Sequence, residues 1–101
     1  PGIATPTEAF AALAAGADGL KIFPAEMLAP NVVKAMCAVL PKQAIMIPVG
    51  GIVPEIMAEF WRAGASAFGL GSALYRPGAT PAQVRASAMG FVRAAETLQS
   101  H

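Results

Sequence analysis

The stretch GADGLKIFPAE, residues 16–26, sets a lysine inside an apolar run. Lys21 lies between Leu20 and Ile22, with Phe23 two residues on, in the composition of a buried strand. An ammonium there has three fates. Its stem can lie along apolar surface with the head in water, it can pair with an anion such as Glu26 on the following loop, or it can act as a nucleophile. Enclosed in apolar surroundings, an ammonium gives up its proton more readily, and the free amine can add to a ketone to form an iminium. Two glycine-containing pairs form a second group: Gly50-Gly51 after Pro48-Val49, and Gly71-Ser72 after AFGL. Glycines let backbone N–H groups approach an anion with no Cβ in the way, although each pair by itself is equally a tight turn.

The other polar residues offer less. Tyr75 and Arg76 could help hold an anion or anchor a loop, and Asp18, Glu55 and Glu59 fall at helix ends or on outward faces. His101 is terminal, with no second ligand near it, and reads as solvated. The sequence carries no metal-ligand spacing and no Ser/His/Asp arrangement, so neither a metal nor another cofactor is expected.

The elements that must position these residues follow from period and punctuation. TPTEAFAALAAG predicts a short helix with Thr5 as N-cap, Pro6 behind it and Gly16 at the stop. LKIF reads as a strand, and PNVVKAMCAVL as a helix ended by Pro41. AIMIPV is a second strand, GGIVP a glycine-rich turn, and PEIMAEFWRAG a helix with Pro54 near its start and Gly64 at its end. ASAFGLG reads as a third strand, ALYRPG as a short connecting piece in which SALY could form a short extra helix, and TPAQVRASAMGFVRAAETLQ as a final helix. Val84, Ala88, Phe91, Ala95 and Leu98 fall on one face of that helix.

Strands without clean alternation, each followed by a helix, predict parallel strands buried on both faces. The segments AGADGLKIF and AGASAFGLG repeat the same helix end and strand start. A repeating βα unit means an α/β fold, either a (β/α)₈ barrel or a doubly wound sheet. Three strands cannot close a barrel, which takes about 200 residues or more, so a barrel reading makes the chain roughly half of one. In such folds ligands gather at the C-terminal strand ends, where Lys21 with Phe23, then Pro48-Val49-Gly50-Gly51, then Gly71-Ser72 are delivered. Two glycine turns after the last two strands, helped by the N-terminus of a short extra helix, are how barrels commonly seat a phosphate.

With 101 residues, 55% hydrophobic and 13% charged, the chain suffices for one small domain with a buried core. Its seven Lys and Arg are spread singly for a net charge of +1, so no basic stripe exists to grip nucleic acid. Apolar stretches are interrupted well before the roughly 20 residues of a membrane span, so neither a membrane partner nor a leader is expected and the default location is cytoplasmic. Cys37 is the one cysteine and reads as a core residue of its helix. The chain opens on Pro1 rather than Met, which marks a processed or partial polypeptide.

PGIATPTEAFAALAAGADGLKIFPAE, IPVGGIVPE and GLGSALYRPG, in this order and spacing, resemble the C-terminal half of the class I aldolases that cleave 2-dehydro-3-deoxy-6-phosphogalactonate and the corresponding phosphogluconate. The resemblance runs through nearly the whole chain, and the K-x-F-P and G-G…G-S motifs carry it. It implies that residues 1–101 are the C-terminal half of a single TIM-barrel domain, assembled as a homotrimer. It also implies a metal-free retro-aldol cleavage to pyruvate and glyceraldehyde 3-phosphate. Carried over, Lys21 is the Schiff-base residue, and Phe23, Pro48 and Val49 meet the substrate. The N–H groups of Gly50, Gly51, Gly71 and Ser72 hold the phosphate. PVGG, with Val49 where the gluconate enzymes resemble PTGG, and LYRPG look like the galactonate branch, whereas FPAE also looks like the gluconate branch. The acid/base glutamate, and the Arg and Thr that receive the pyruvate carboxylate, lie in the other half in these enzymes, and nothing here replaces them.

Two other functions fit the same residues: a non-catalytic phosphate-binding half-barrel module, and another barrel enzyme with the same phosphate turns, such as an isomerase or synthase. The three strands read above would leave the lysine strand and the AFGLG strand as open edges. Ile22, Ile45, Ile47 and Phe68 would then lack part of their packing, which invites association and leaves the chain inactive by itself.

Overall fold

The computed structural model describes residues 1–99, so His101 lies outside the described residues. The chain runs β1 (Gly2–Ile3), α1 (Pro6–Ala14), β2 (Leu20–Ile22), α2 (Pro30–Val39), β3 (Met46–Pro48), α3 (Pro54–Ala63) and α4 (Pro81–Gln99). The strands form one parallel sheet in the order β1-β2-β3.

Local chemistry starts each helix. The Thr5 hydroxyl accepts the Glu8 N–H, and a Glu8 carboxylate oxygen in turn accepts the Ala4 N–H at 3.0 Å and the Thr5 hydroxyl at 3.1 Å. This is a capping box shifted by one residue, and the Ala4 N–H and then the Thr5 hydroxyl hold the Glu8 carboxyl below its ordinary range. A second box starts α4, with Gln83 N–H donating to the Thr80 hydroxyl and Thr80 N–H to the Gln83 side-chain oxygen. The T-x-x-Q signal was present in the sequence. Proline stands at the start of α1, α2 and α3, and Gly64 closes α3 in the left-handed conformation at φ 119°.

The sheet differs from the sequence expectation in three ways. Its third strand is Gly2–Ile3, a pair whose glycine and preceding proline give no strand signal. The bonds Lys21 N–H to Pro1 carbonyl and Phe23 N–H to Ile3 carbonyl attach it to β2, so the lysine strand is central rather than an edge. ASAFGLG does run beside β3, but only as an isolated parallel bridge between Val49 and Gly69. Ser66 donates to Met46 and Gly69 to Pro48, so three residues on one side span two on the other. That extra residue breaks the ladder.

The third difference is burial. Ile3, Leu20, Ile22, Met46 and Pro48 are buried against the helices, while Gly2, Lys21 and Ile45 on the other face are exposed and Ile47 is half-buried. The strands are covered on one face, not both. The helix-side core continues through Val33, Met36, Met57, Phe60 and Phe91, with α2 packed on α3 and α3 on α4. The α4 face expected from the sequence is the inward one, with Phe91 and Leu98 buried and Val84, Ala88 and Ala95 half-buried. SALY forms a single turn in which the Leu74 and Tyr75 N–H groups both donate to the Gly71 carbonyl, and it is not a helix.

Cys37 is half-buried beside the end of α3, and desolvation pushes its thiol up. A Cβ on Gly64 would stand 2.6 Å from the Cys37 sulfur. Gly64→Ala therefore suffers both a left-handed backbone and this collision, and is expected to cost about 1–3 kcal/mol. Adding Cys37→Ala should return only the part due to the sulfur. Urea unfolding of the polypeptide that carries the chain measures both, and a fully restored double variant would show that the backbone conformation costs nothing.

Candidate active site

Side chains alternate along a strand, so burying Leu20 and Ile22 under the helices sends Lys21 to the opposite face. The register places Gly2 and Ile47 on either side of it, in one row across the open face. Lys21 is exposed, and the apolar enclosure expected for it is not supplied by these residues. Its ammonium lies 5.0 Å from the centre of the Phe23 ring, within cation–π reach, and Phe23 is itself 48% exposed. No ion pair joins Lys21 to Glu26 among the described residues.

Next to Phe23 is a cavity of about 240 Å³, walled by Phe23 and Glu26, by Val49 to Ile52, and by Leu70 to Ala73. Six residues singled out in the sequence converge here: Phe23, Val49, Gly50, Gly51, Gly71 and Ser72. Lys21 is not part of the wall, and its ammonium lies over the ring of Phe23, which is. Pro48 is not part of the wall either. It is in register with Ile22, and its ring is buried on the helix side. Glu26, Ile52, Leu70 and Ala73 join the wall, and the signal for them was their place directly after or between the named motifs.

Backbone geometry shapes the cavity. Gly50 and Gly51 take φ of 108° and 68°, which side chains disfavour, and a Cβ on Gly51 would stand 3.0 Å from a Glu26 carboxylate oxygen. The Ala25 N–H donates to the Val49 carbonyl at 2.8 Å, which fixes the 24–28 turn against the end of β3. Among the described residues, the N–H groups of Gly51, Gly71 and Ser72 donate to no protein acceptor, whereas the Val49–Gly69 bridge turns the Gly50 N–H toward the Gly69 carbonyl. Three unspent donors around one cavity are the kind of group a backbone anion seat requires.

No Lys or Arg lines the cavity, so these N–H groups are its source of positive potential. The Glu26 carboxylate opposes them on the Gly51 side, which favours the Gly71–Ser72 side for a dianion. Arg76 anchors the loop, its Nε donating to the Ser72 carbonyl at 3.2 Å. Lys34 is in α2 and Lys42 in the loop before β3, neither at a strand end. Among the described residues, no three His, Cys, Asp or Glu side chains cluster in a way that could hold a metal, and no helix is long and apolar enough to cross a membrane.

The family described as KDPG and KHG aldolase matches residues 1–85. A 2-dehydro-3-deoxy-6-phosphogalactonate aldolase from Escherichia coli (strain K12) is 48% identical over 94 residues, which cover 93% of this chain and 46% of that protein. A probable 2-dehydro-3-deoxy-6-phosphogalactonate aldolase from Rhizobium meliloti (strain 1021) is 47% identical, with 93% and 44% covered. The solved structure described as "Native KDPGal structure" superposes with a TM-score of 0.96 at 44% identity, over 100% of this chain and 49% of that one. The chain thus spans roughly half the length of the relatives it matches, and its three parallel strands and four helices make up about half of a TIM-barrel-like fold.

The bridge between Val49 and Gly69 generates a test of how the cavity wall is built. A Cβ on Gly69 would collide with the Val49 side chain, chiefly its Cγ2. Gly69→Ala should destabilise by about 1–3 kcal/mol through overpacking, and Val49→Ala in the same chain should recover most of the loss. Thermal unfolding of the two variants decides it: additive losses would mean that the two residues do not share this contact.

Proposed function

The chain belongs to the KDPG and KHG aldolase family, and from that premise we propose that it is the C-terminal half of a single TIM-barrel class I aldolase domain that cleaves 2-dehydro-3-deoxy-6-phosphogalactonate to pyruvate and glyceraldehyde 3-phosphate. One observation carries the reading. A lysine on the open face of the central strand lies against Phe23, which walls a cavity lined by Val49 and by Gly51, Gly71 and Ser72 with their unspent backbone N–H groups.

In this reading the Lys21 amine adds to the C2 ketone and water leaves, giving an iminium. A base removes the proton of the C4 hydroxyl, the C3–C4 bond breaks, and its electron pair moves into the iminium to leave an enamine. Glyceraldehyde 3-phosphate departs. The enamine takes a proton at C3, and water hydrolyses the resulting iminium to pyruvate and the free lysine. Phe23 walls the reacting carbons, and Val49 stands beside C4. The N–H groups of Gly71 and Ser72, with that of Gly51, take the phosphate. Pro48 contributes by closing the end of β3, since its ring faces the helices. The base, and the groups for the pyruvate carboxylate, belong to the other half of the barrel. A homotrimer is the assembly this family resemblance implies, and the cytosol, where a lone thiol such as Cys37 stays reduced, is the compartment.

The names of the two relatives and Val49 favour the galactonate substrate, while the FPAE motif also looks like the gluconate branch. Borohydride reduction in the presence of pyruvate tests the chemistry. In the polypeptide that carries this chain, a stable mass should appear on Lys21. Lys21→Ala should abolish both trapping and cleavage, and Lys21→Arg should do the same, because a guanidinium does not lose the proton that imine formation requires. Retained cleavage in either variant would overturn the mechanism, and a native protein that neither traps pyruvate nor cleaves would leave the non-catalytic module or a different barrel chemistry.

Val49→Thr tests the epimer assignment. A hydroxyl beside C4 can bond one configuration and not the other, so kcat/KM should shift toward the phosphogluconate by on the order of 1–3 kcal/mol in relative transition-state binding. An unchanged ratio for the two epimers would remove Val49 from the role.

A further inference from the structure

Two polar side chains, Ser72 and Glu26, line the cavity beside Phe23. Glu26 is held there by backbone. The buried Ala25 before it donates to the Val49 carbonyl, and the turn is closed by the Met27 and Leu28 N–H groups donating to the Pro24 and Ala25 carbonyls. Gly51 leaves the space its carboxylate occupies, since a Cβ there would stand 3.0 Å from both the Glu26 Cβ and a carboxylate oxygen. Unlike Glu8, which is spent on the cap of α1, Glu26 has no hydrogen-bond or ion-pair partner among the described residues.

A carboxylate only accepts hydrogen bonds, and it repels a second anion. A chain with a ketone at one end, a phosphate at the other and hydroxyls between offers it one fitting group, a hydroxyl. We propose that Glu26 is a specificity-determining residue that accepts a hydrogen bond from the hydroxyl on the carbon next to the phosphate-bearing carbon of the substrate. This rests on the proposed aldolase reading. In the proposed binding mode, with Lys21 at the ketone, Val49 at C4 and the phosphate at Gly71 and Ser72, the one carboxylate of the cavity wall, Glu26, falls to the carbon between C4 and the phosphate-bearing carbon. Glu26 therefore reads C5, the position at which the two C4 epimers are alike.

The test runs the reaction in the carbon–carbon bond-forming direction, in the polypeptide that carries this chain, with pyruvate and either glyceraldehyde 3-phosphate or the analogue lacking its C2 hydroxyl. The native protein should prefer the hydroxylated aldehyde by about tenfold or more in kcat/KM. Glu26→Ala should reduce that preference toward unity, and Glu26→Gln, whose amide oxygen still accepts, should retain part of it. Borohydride trapping of pyruvate on Lys21 should be unaltered in both variants, because pyruvate lacks the hydroxyl-bearing carbons. An unchanged preference with trapping intact would overturn the role of Glu26 alone. Absence of trapping in the native protein would overturn the aldolase reading, and this inference with it.

Discussion

The pairing register of β2 with β3 governs everything on the open face. Leu20 is in register with Met46, Lys21 with Ile47, and Ile22 with Pro48. Leu20, Ile22, Met46 and Pro48 go under the helices, where each fully buried aliphatic side chain contributes about 1.5–3 kcal/mol relative to exposure. A slip of one residue would exchange the two faces, expose two large aliphatic side chains and bury an ammonium. The apolar neighbours of Lys21 thus work from the opposite side of the sheet. Their burial forces the lysine outward, into the row where Phe23 can stand over it.

Close approach of backbone is the second constraint, and glycine is the device. Gly64 ends α3 against the sulfur of Cys37, Gly51 makes room for Glu26, and Gly69 accommodates the branched side chain of Val49. Only at Gly51 and Gly64 is a positive φ also required, whereas Gly69 is needed for space. These contacts bring the ends of β2 and β3 and the 66–72 segment within one small cavity. They also leave the backbone donors of Gly51, Gly71 and Ser72 without protein partners among the described residues. Such donors act at close range, while the nearest cations stand just outside the cavity wall, Arg76 on the Ser72 carbonyl and Lys21 over Phe23.

The sheet has its helices on one side and an open face on the other, and the relatives it matches are about twice as long. In a barrel that open face points inward, where the side chains of facing strands fill the interior. Exposure of Lys21, Phe23 and Ile45 is what half of such an interior looks like without its counterpart.

Local signals at the helix ends read correctly because their causes were local, although SALY, offered as a short helix, forms a single turn. Thr5 and Pro6 start α1, Pro54 and Gly64 bound α3, and Pro41 ends α2, because caps and ring constraints act within a few residues. Alternation of strand and helix was enough for a parallel α/β fold, and the K-x-F-P and G-G…G-S motifs were enough for the family. Non-local pairing was not legible. Gly2–Ile3 becomes a strand only because Lys21 and Phe23 donate to its neighbourhood, and ASAFGLG fails to become one because an extra residue breaks its register against β3. The same holds in the cavity, where Pro48 turns its ring to the helices and Glu26 turns its carboxylate to Gly51. Residue type and spacing in one dimension set which groups reach a strand end. Which face each one takes there depends on hydrogen bonds between segments far apart in the chain, and those exist only once the sheet has formed.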